Sequence, residues 1–386
     1  MNQPKLNHLM EITARPENVF VRGEGSWLWD ESGNRYLDFI QGWAVNCLGH
    51  CPAEVQGALA QQAGQLISPS PALHNQPQLT LAERLVALSG MKEVHFTNSG
   101  AEANEAAIKL ARKWGRLNRG GAYRIISAQN AFHGRTLATM AASGKPGWDQ
   151  LFPPYPDGFR QVPFGDAEAV ARVIDAETVA ILVEPVQGEA GVVVPPPDYL
   201  ADLRRLADAH DLLLILDEIQ TGMGRTGTLF AFQAAGVRPD ILTLGKGLGG
   251  GVPLAAVLAD ERAACFEAGD QGGTYNGNAL MTAVGLAVTD TVSDPGFLAH
   301  VRCVGAQLQE GLASFVCEGR AAVVRGKGLL QALRLNGDHA ERLRDEVFAA
   351  GLIVNAARPD TLRFMPSLRV SAAEVDQCLE ILAEAL

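Results

Sequence analysis

The stretch Leu212–Gly222 reads LLLILDEIQTG and decides the fold class of this 386-residue chain. Five apolar residues in a row lead into two acids, a pattern typical of a strand that is buried on both faces and ends at the rim of a sheet. In open α/β folds, ligands bind just beyond the carboxyl ends of such strands. Asp217 is therefore a candidate ligand-binding residue, although a capping role in the strand–helix loop explains it at least as well when it is taken alone.

Similar apolar runs recur along the middle of the chain and alternate with helical segments. Ala107, Leu110, Ala111 and Trp114, for example, fall on one helical face. This alternation predicts an α/β fold whose mostly parallel sheet is covered by helices on both faces. The predicted strands are Val94–Thr97, Arg124–Ser127, Val179–Val183, Leu212–Leu216, Ile241–Leu244 and Leu254–Leu258.

The length and a change of pattern predict two domains. We expect a large domain over 49–280 and a smaller α+β domain over 281–386, where longer helices alternate with polar linkers. The sequence Ser371-Ala-Ala-Glu374 is a capping box that announces the last helix. Residues 1–48, with the strand-like stretch Trp27–Trp29, are expected to pack with the small domain.

Charge and cysteine content narrow the possible partners. The chain has 32 Lys and Arg against 43 Asp and Glu, a net charge of −11, which argues against a nucleic-acid partner. Cys47 and Cys51 flank His50, but no second ligand pair completes a zinc site, so we predict no metal. No signal peptide or membrane-spanning segment is evident, and we expect a reduced, cytoplasmic setting with no membrane partner.

A second candidate site residue is Lys246, which lies among glycines in Leu244–Gly251, LGKGLGGG. Glycines let a backbone turn tightly and approach a ligand closely. The spacing of a P-loop, which is the obvious alternative, is absent. Lys246 follows a predicted strand and lies 29 positions after Asp217, so one strand–helix–strand step would bring both residues to the same rim of the sheet.

A third candidate is the transition from strand to helix in Phe96–Glu105, FTNSGAEANE. The hydroxyl of Ser99 and the backbone amides of Gly100 and Ala101 stand at the N-terminus of the helix, where the helix dipole favours an anion. A plain serine N-cap is the alternative. A lysine, a buried aspartate and a phosphate site together favour pyridoxal phosphate, which needs all three.

The stretch Gly222–Gly227, GMGRTG, matches the dinucleotide-binding fingerprint. Five residues separate it from the preceding strand, and no clear helix begins at its glycines. The acid that would bind the ribose, about 20 residues further on, is missing from Leu244–Gly251. We therefore expect no nicotinamide or flavin site here.

These motifs resemble those of the class III (ω-amino) aminotransferases, most of all the branch that acts on acetylated ornithine. The resemblance runs in order along nearly the whole chain. It implies a pyridoxal-phosphate transferase of fold type I, with a seven-stranded sheet, and a homodimer whose shared active sites lie at the subunit interface. The matching stretches are Trp29–Asp30, Asn46–His50, Asn98–Glu105, Phe132–Thr136, Val183–Glu189, Asp217–Gly222, Gly245–Lys246, Gly273–Tyr275, Arg325–Gly328 and Leu362–Phe364.

The resemblance also implies a role for each residue near the cofactor. Lys246 would hold pyridoxal phosphate covalently and move a proton between substrate and cofactor, while Asp217 would pair with the pyridine nitrogen. Gln220 would bond the ring hydroxyl, and Phe132 would lie against the ring unless it only packs in an apolar core. The phosphate would be held by Ser99, Gly100 and Ala101, and by Thr274 of the partner subunit.

For the substrates, the resemblance implies that Arg135 and Arg363 bind carboxylates and that Glu189 can neutralise Arg363. Surface ion pairing is the alternative for these three residues. Trp27 stands where ornithine δ-aminotransferases have a tyrosine for the substrate carboxylate, which disfavours free ornithine as the donor. Asn276 and Ala279 replace a usual glycine and proline.

The implied reaction moves the δ-amine of N-acetylornithine to 2-oxoglutarate, giving N-acetylglutamate semialdehyde and glutamate, a step of arginine biosynthesis. Other ω-amine donors (succinylornithine, ornithine, 4-aminobutyrate or an N-succinyl-diaminopimelate intermediate) stay open, as does an aminomutase. A related protein kept only as a binding module would be expected to lose Lys246 or Asp217, and both are present.

Overall fold

The predicted mostly parallel α/β sheet is confirmed in a computed structural model, which describes residues 8–386. Only strand β10 runs antiparallel to its neighbours in this seven-stranded sheet; the other adjacent pairs are parallel. In spatial order the strands are β4 (Glu93–Thr97), β10 (Ala255–Ala259), β9 (Ile241–Leu244), β8 (Leu213–Asp217), β7 (Thr178–Val183), β5 (Arg124–Ala128) and β6 (Phe159–Val162).

Six of these strands were predicted within one residue at each end. Five of them are apolar and buried along most of their length, whereas β4 is fully buried only at Phe96 and Thr97. The prediction missed β6, which lies at the edge of the sheet and has only β5 as a neighbour. Its sequence, FRQV, is half polar, and only Val162 is fully buried. An edge strand of this kind lacks the continuous apolar run of a central strand.

Helices cover both faces of the large sheet. The longest of them, α4, begins at Gly100 directly after β4 and turns Ala103, Ala107, Ala111 and Trp114 inwards. The helices up to residue 235 are α2 (Ala53–Ala63), α3 (Gln76–Ser89), α4 (Gly100–Asn118), α5 (Leu137–Ser143), α6 (Ala167–Val173), α7 (Tyr199–Ala209) and α8 (Ala231–Ala235).

The C-terminal part contains an antiparallel sheet of four strands in the order β11 (Val323–Lys327), β12 (Leu330–Arg334), β15 (Thr361–Phe364) and β14 (Asn355–Arg358). Its helices are α9 (Ala279–Val292), α10 (Pro295–Cys317), α11 (Ala340–Ala349) and α12 (Ala372–Ala385). The predicted capping box is confirmed, since the hydroxyl of Ser371 accepts a hydrogen bond from the amide of Glu374. Helix α9 packs mainly on α2 and α3, so the boundary at 280 stays a prediction.

The N-terminal strands β1 (Phe20–Glu24), β2 (Trp27–Asp30) and β3 (Arg35–Asp38) form a third sheet together with β13 (Leu352–Ile353). Strand β3 pairs in parallel with β13, which joins the beginning of the chain to its C-terminal part. A single left-handed turn, α1 (Gln41–Ala44), follows β3. Residues 1–7 of the predicted N-terminal segment lie outside the described residues. Across 8–386, no helix combines the length and apolarity that crossing a membrane requires.

The glycines of Gly222–Gly227 serve packing in this structure. Gly224 has a φ of +83° and lies against side chains of the C-terminal part, including Val292. Between the glycines, the buried guanidinium of Arg225 donates hydrogen bonds to the carbonyl oxygens of Leu329 (3.1 Å) and Pro366 (2.6 Å). This turn therefore joins the large sheet to the C-terminal part, and the next helix, α8, begins only at Ala231.

Candidate active site

A cleft of about 220 Å³ opens beyond the carboxyl ends of the central strands. It brings together eight of the predicted site residues: Gly100, Ala101, Phe132, Arg135, Glu189, Asp217, Gln220 and Lys246. Four further residues complete its lining: His133, Gly134, Glu184 and Ile219. The strand order explains this assembly, because the four strands β4, β7, β8 and β9 all end at one rim of the sheet, at or just before Gly100, Glu184, Asp217 and Lys246.

Asp217 is the last residue of β8 and is almost completely buried. Its Oδ2 atom accepts hydrogen bonds from Nδ2 of Asn104 and Nδ1 of His133, both at 2.7 Å. The Oδ1 atom accepts one from the amide of Ile219 at 3.1 Å, so the capping alternative is also satisfied. Glu218 instead caps α8 through the amides of residues 231 and 232. Of the two acids, Asp217 is the one that faces the cleft.

Lys246 begins a single 3-10 turn directly after β9 and has a φ of +44°. A positive φ is costly for a residue with a side chain and occurs mainly where the surroundings enforce it. Burial lowers the pKa of the Lys246 amine, while Glu189 acts in the opposite direction. A lowered pKa increases the fraction of uncharged amine, which is the form that attacks a carbonyl group or accepts a proton.

The N-terminus of α4, where an anion site was predicted, borders the cleft at Gly100 and Ala101. Ser99 does act as a plain N-cap, since its hydroxyl accepts a hydrogen bond from the amide of Glu102 at 3.3 Å. The amides of Gly100 and Ala101 belong to the first turn and have no partner within the helix. A side chain at Gly100 would place its Cβ 2.8 Å from the side chain of Ile219, so glycine is what allows this close approach.

Arg363 and Glu189 form an ion pair at the side of the cleft. Arg363, on β15, is fully buried, and its Nη1 atom donates to Oε1 of Glu189 at 2.7 Å and to Oε1 of Gln220 at 3.3 Å. Burial alone would raise the pKa of Glu189. The charge and hydrogen bond of Arg363, together with the charges of Lys246 and Lys145, outweigh burial and hold this pKa at about 2. Glu189 is therefore ionised at neutral pH and neutralises Arg363.

The outer end of the cleft is aromatic and basic. The Phe132 and Trp148 rings meet edge to face with centroids 6.0 Å apart. The guanidinium of Arg135 lies 4.6 Å from the Trp148 ring and 5.8 Å from the Phe132 ring, and its side chain is exposed. Arg135 can thus reach a substrate that enters from solvent.

Four predicted site residues are not among those that line this cleft: Ser99, Arg363, Trp27 and Thr274. Ser99 adjoins it through Gly100, and Arg363 adjoins it through the ion pair with Glu189. The indole nitrogen of Trp27 donates to Oε1 of Glu374 at 2.9 Å, and the Arg35 guanidinium lies 4.1 Å from its ring. Thr274 is exposed in a turn next to Tyr275. The substrate role of Trp27 and the phosphate role of Thr274 stay predictions.

The sequence interpretation did not assign roles to several residues that surround Asp217. Asn104 and His133 are buried and hold its carboxylate, and Thr243 in turn donates to Oδ1 of Asn104 at 2.9 Å. Burial raises the pKa of Glu184 to about 7, and this side chain accepts a hydrogen bond from the amide of Phe132 at 3.1 Å. The sequence offered only indirect indications of these residues. Glu184 follows an apolar strand, and His133 belongs to a motif that was recognised only as a whole.

The fold and the lysine–aspartate cleft are those of an aminotransferase. The family model described as Aminotransferase class-III matches residues 12–386, and the chain belongs to this family. Acetylornithine aminotransferase 2 of Bordetella bronchiseptica is 56% identical over 98% of this chain and 96% of its own length. Acetylornithine aminotransferase of Ralstonia nicotianae is 52% identical, with 97% and 96% covered.

Solved structures agree with this family. N-acetylornithine aminotransferase from Stenotrophomonas maltophilia superposes with a TM-score of 0.85 at 37% identity, covering 96% of each chain. An ornithine aminotransferase from Toxoplasma gondii, in a structure that has PLP in partial occupancy at its active site, superposes with a TM-score of 0.93 at 31% identity. It covers 98% of this chain and 92% of the other.

Proposed function

We propose that this enzyme transfers the δ-amino group of N-acetylornithine to 2-oxoglutarate, with pyridoxal phosphate as cofactor, as a step of arginine biosynthesis. The observation that carries the proposal is the closed pair between Arg363 and Glu189 beside Lys246. An arginine left free at this position would attract the α-carboxylate of an ordinary amino acid. Because Glu189 neutralises that charge, an ω-amine with its carboxylate at the far end is favoured.

The residues present fit pyridoxal phosphate. The buried Nε2 atoms of Gln220 and His133 and Nη2 of Arg363 have no hydrogen-bond partner among residues 8–386. Buried polar groups are rarely left unpaired, so these unpaired polar atoms around the cleft are groups that a polar ligand would satisfy. The glycine at position 188 leaves room for the Gln220 side chain in the cleft. A Cβ at Gly188 would lie 1.6 Å from Oε1 of Gln220 and would displace that side chain.

Each side chain then has a defined task. Pyridoxal phosphate, when bound, supplies an electron-accepting ring that stabilises negative charge on the substrate carbon. Asp217 keeps the proton on the pyridine nitrogen, because a fixed carboxylate favours the charged form of that nitrogen. Lys246 would hold the cofactor between turnovers and would move a proton from the δ-carbon of the donor to the cofactor. The amides of Gly100 and Ala101, with the hydroxyl of Ser99, hold the phosphate.

The two substrates need different charges at Arg363. The donor brings one carboxylate, at the end far from the reacting amine, and Arg135 takes it. 2-Oxoglutarate brings a second carboxylate next to the reacting carbon. For this substrate Arg363 leaves Glu189 and forms a bidentate pair with the adjacent carboxylate, while Arg135 again takes the distant one.

Turnover against a set of ω-amines with 2-oxoglutarate tests the choice of donor. We expect the highest kcat/KM with N-acetylornithine, and lower values with succinylornithine, ornithine and 4-aminobutyrate. Free ornithine is the main rival, and the superposition with an ornithine aminotransferase favours it. A higher kcat/KM for ornithine than for its N-acetyl derivative would overturn the assignment.

The proposed enzyme is a homodimer in which Thr274 of the partner subunit completes the phosphate site. Thr274 does not line the cleft of its own chain. Its neighbour Tyr275 leaves 66% of its surface exposed, and a large exposed aromatic side chain is typical of an interface. Removing the cofactor should therefore weaken the dimer. A fully active monomer in sedimentation experiments would exclude this arrangement.

We also place the enzyme in the cytoplasm. All six cysteines of the chain are free thiols, and Cys47 and Cys378 are buried. Unpaired cysteines suit a reducing compartment. Fractionation of cells that produce the protein at native levels tests this location, and recovery of its activity outside the cytoplasmic fraction would contradict it.

A further inference from the structure

A second cation shares the aromatic wall that Phe132 and Trp148 form, in a hollow next to the cleft. The Nζ atom of Lys145 lies 4.7 Å from the centroid of the Phe132 ring and 5.0 Å from that of Trp148. Arg135 lies against the same two rings. Lys145 follows α5, and Arg135 precedes it, so the short helix holds the two positive charges beside one wall.

Neither cation has an acidic partner of its own. Within residues 8–386, Lys145 and Arg135 form no ion pair at 4 Å or less, and their nitrogens donate no hydrogen bond to the protein. Lys145 is half-buried, and burial lowers the pKa of its amine. Among acidic groups, Glu189 raises the pKa of Lys145 most, and Glu189 is already paired with Arg363. Two like charges without a counterion are an arrangement that an incoming anion stabilises.

We propose that Lys145 is a further substrate-binding residue, which together with Arg135 clamps the carboxylate that lies far from the reacting carbon. The inference rests on the proposed function, because both proposed substrates carry such a carboxylate. In the donor this carboxylate is separated from the reacting carbon by one bond more than in 2-oxoglutarate. A flexible lysine next to a planar guanidinium suits a carboxylate whose position changes between the two half-reactions.

The alternative role for Lys145 is structural, since a lysine over two rings also supports the aromatic wall. The two roles predict different dependence on the substrate. A binding contact is lost only with substrates that carry the distant carboxylate. A structural defect, in contrast, lowers the reactivity of every amine.

The holoenzyme can distinguish these roles in single-turnover reactions with 5-aminopentanoate and pentan-1-amine. Both are linear five-carbon primary amines, and only the first has a carboxylate. We expect Lys145→Met to lower the second-order rate constant for 5-aminopentanoate by roughly 10-fold. The rate constant for pentan-1-amine should stay unchanged. Lys145→Arg should restore most of the loss. Lys92→Met is the matched control, because Lys92 lies before β4, at the opposite end of the strands.

Calorimetric titration with glutarate gives a second measurement that needs no turnover. Glutarate should bind to the wild-type holoenzyme and to Lys92→Met equally well, and roughly 10-fold more weakly to Lys145→Met. Equal losses with both amines, or unchanged glutarate affinity in Lys145→Met, would overturn the proposal. So would failure of the wild-type holoenzyme to bind glutarate. If glutarate affinity falls as expected while N-acetylornithine is not a donor, the clamp stands and the proposed function fails.

Discussion

The inner and outer ends of the cleft are built in opposite ways. At the inner end, Asp217, Asn104 and His133 are buried and bonded to one another at 2.7 Å. At the outer end, Arg135 and Lys145 lie against aromatic rings, and no acid among residues 8–386 bonds to either side chain. A fixed network suits a group that stays in place, whereas unpaired charges suit ligands that exchange in each cycle. Substitutions at the inner end should therefore lower the rate of the chemical step, and substitutions at the outer end should weaken substrate binding.

The largest effect is expected at Lys246. Lys246→Ala removes both the attachment of the cofactor and the group that moves the proton, so turnover should fall by at least about 10⁴-fold. Borohydride reduction of the yellow wild-type enzyme, followed by peptide mapping, should find the cofactor on Lys246. A label on any other lysine would refute the assignment, and Lys92→Ala should behave as wild type.

Asp217→Asn tests whether the inner network acts through charge or only through shape. The amide oxygen can still accept hydrogen bonds from Asn104 and His133, so we expect the cofactor to bind. It cannot hold the ring nitrogen protonated, and kcat should fall on the order of 10²–10⁴-fold. Asp217→Glu, which keeps the charge, is the control. Near-normal kcat in Asp217→Asn would place the essential acid elsewhere.

Arg363 lies between the two ends and should separate the half-reactions. Arg363→Ala should weaken the 2-oxoglutarate half-reaction by roughly 2–5 kcal/mol, the cost of losing a contact to a desolvated carboxylate. The N-acetylornithine half-reaction should be spared. Single-turnover absorbance measurements can follow each half separately, with Arg135→Ala expected to impair both and Glu189→Gln to favour glutamate. Equal losses in both half-reactions for Arg363→Ala would contradict the proposed exchange of Arg363 between Glu189 and the carboxylate of 2-oxoglutarate.

Glu184 should reveal a smaller effect, on stability. Burial raises its pKa from the usual 4.5 to about 7, so between these values the folded protein keeps a proton that the unfolded chain has released. Stability from this group therefore falls as the pH rises through that window. Relative to wild type, Glu184→Gln should gain up to about 3 kcal/mol between pH 4.5 and pH 7.

Urea unfolding of the cofactor-free proteins at pH 5 and pH 8 measures this gain. A difference between Glu184→Gln and wild type that is the same at both pH values would mean that Glu184 titrates alike in the folded and unfolded chains. The outer variant Lys145→Met should show no comparable pH dependence, which makes it a suitable control.

The fold and the chemical centre were largely predictable from the sequence. Asp217 and Lys246 each follow an apolar run, and burial of such runs in one parallel sheet places their carboxyl ends at a common rim. The resemblance added Gln220 and Arg363, whose local sequences carry no signal of their own. Their roles, like those of the other site residues, still await the experiments above.

Contacts between distant parts of the chain could not be predicted from the sequence. Trp27 bonds to Glu374, and His133 to Asp217, across many residues. Neither local periodicity nor spacing specifies such a pair, because each depends on how two elements pack. Lys145 likewise becomes a candidate substrate-binding residue only because the structure places it against the rings of Phe132 and Trp148.

The parallel pairing of β3 with β13 affects how the protein is synthesised. Leu37 leaves the ribosome more than 300 residues before its partner Leu352. At about 5–20 residues per second, this interval lasts roughly 15–60 s, and throughout it one edge of the nascent N-terminal sheet has unpaired amides and carbonyls, which promote aggregation. Ribosome-bound chains that stop before Leu352 should therefore be cleaved by protease around β3, whereas complete chains resist. We expect the yield of folded enzyme to depend on translation speed and chaperone supply.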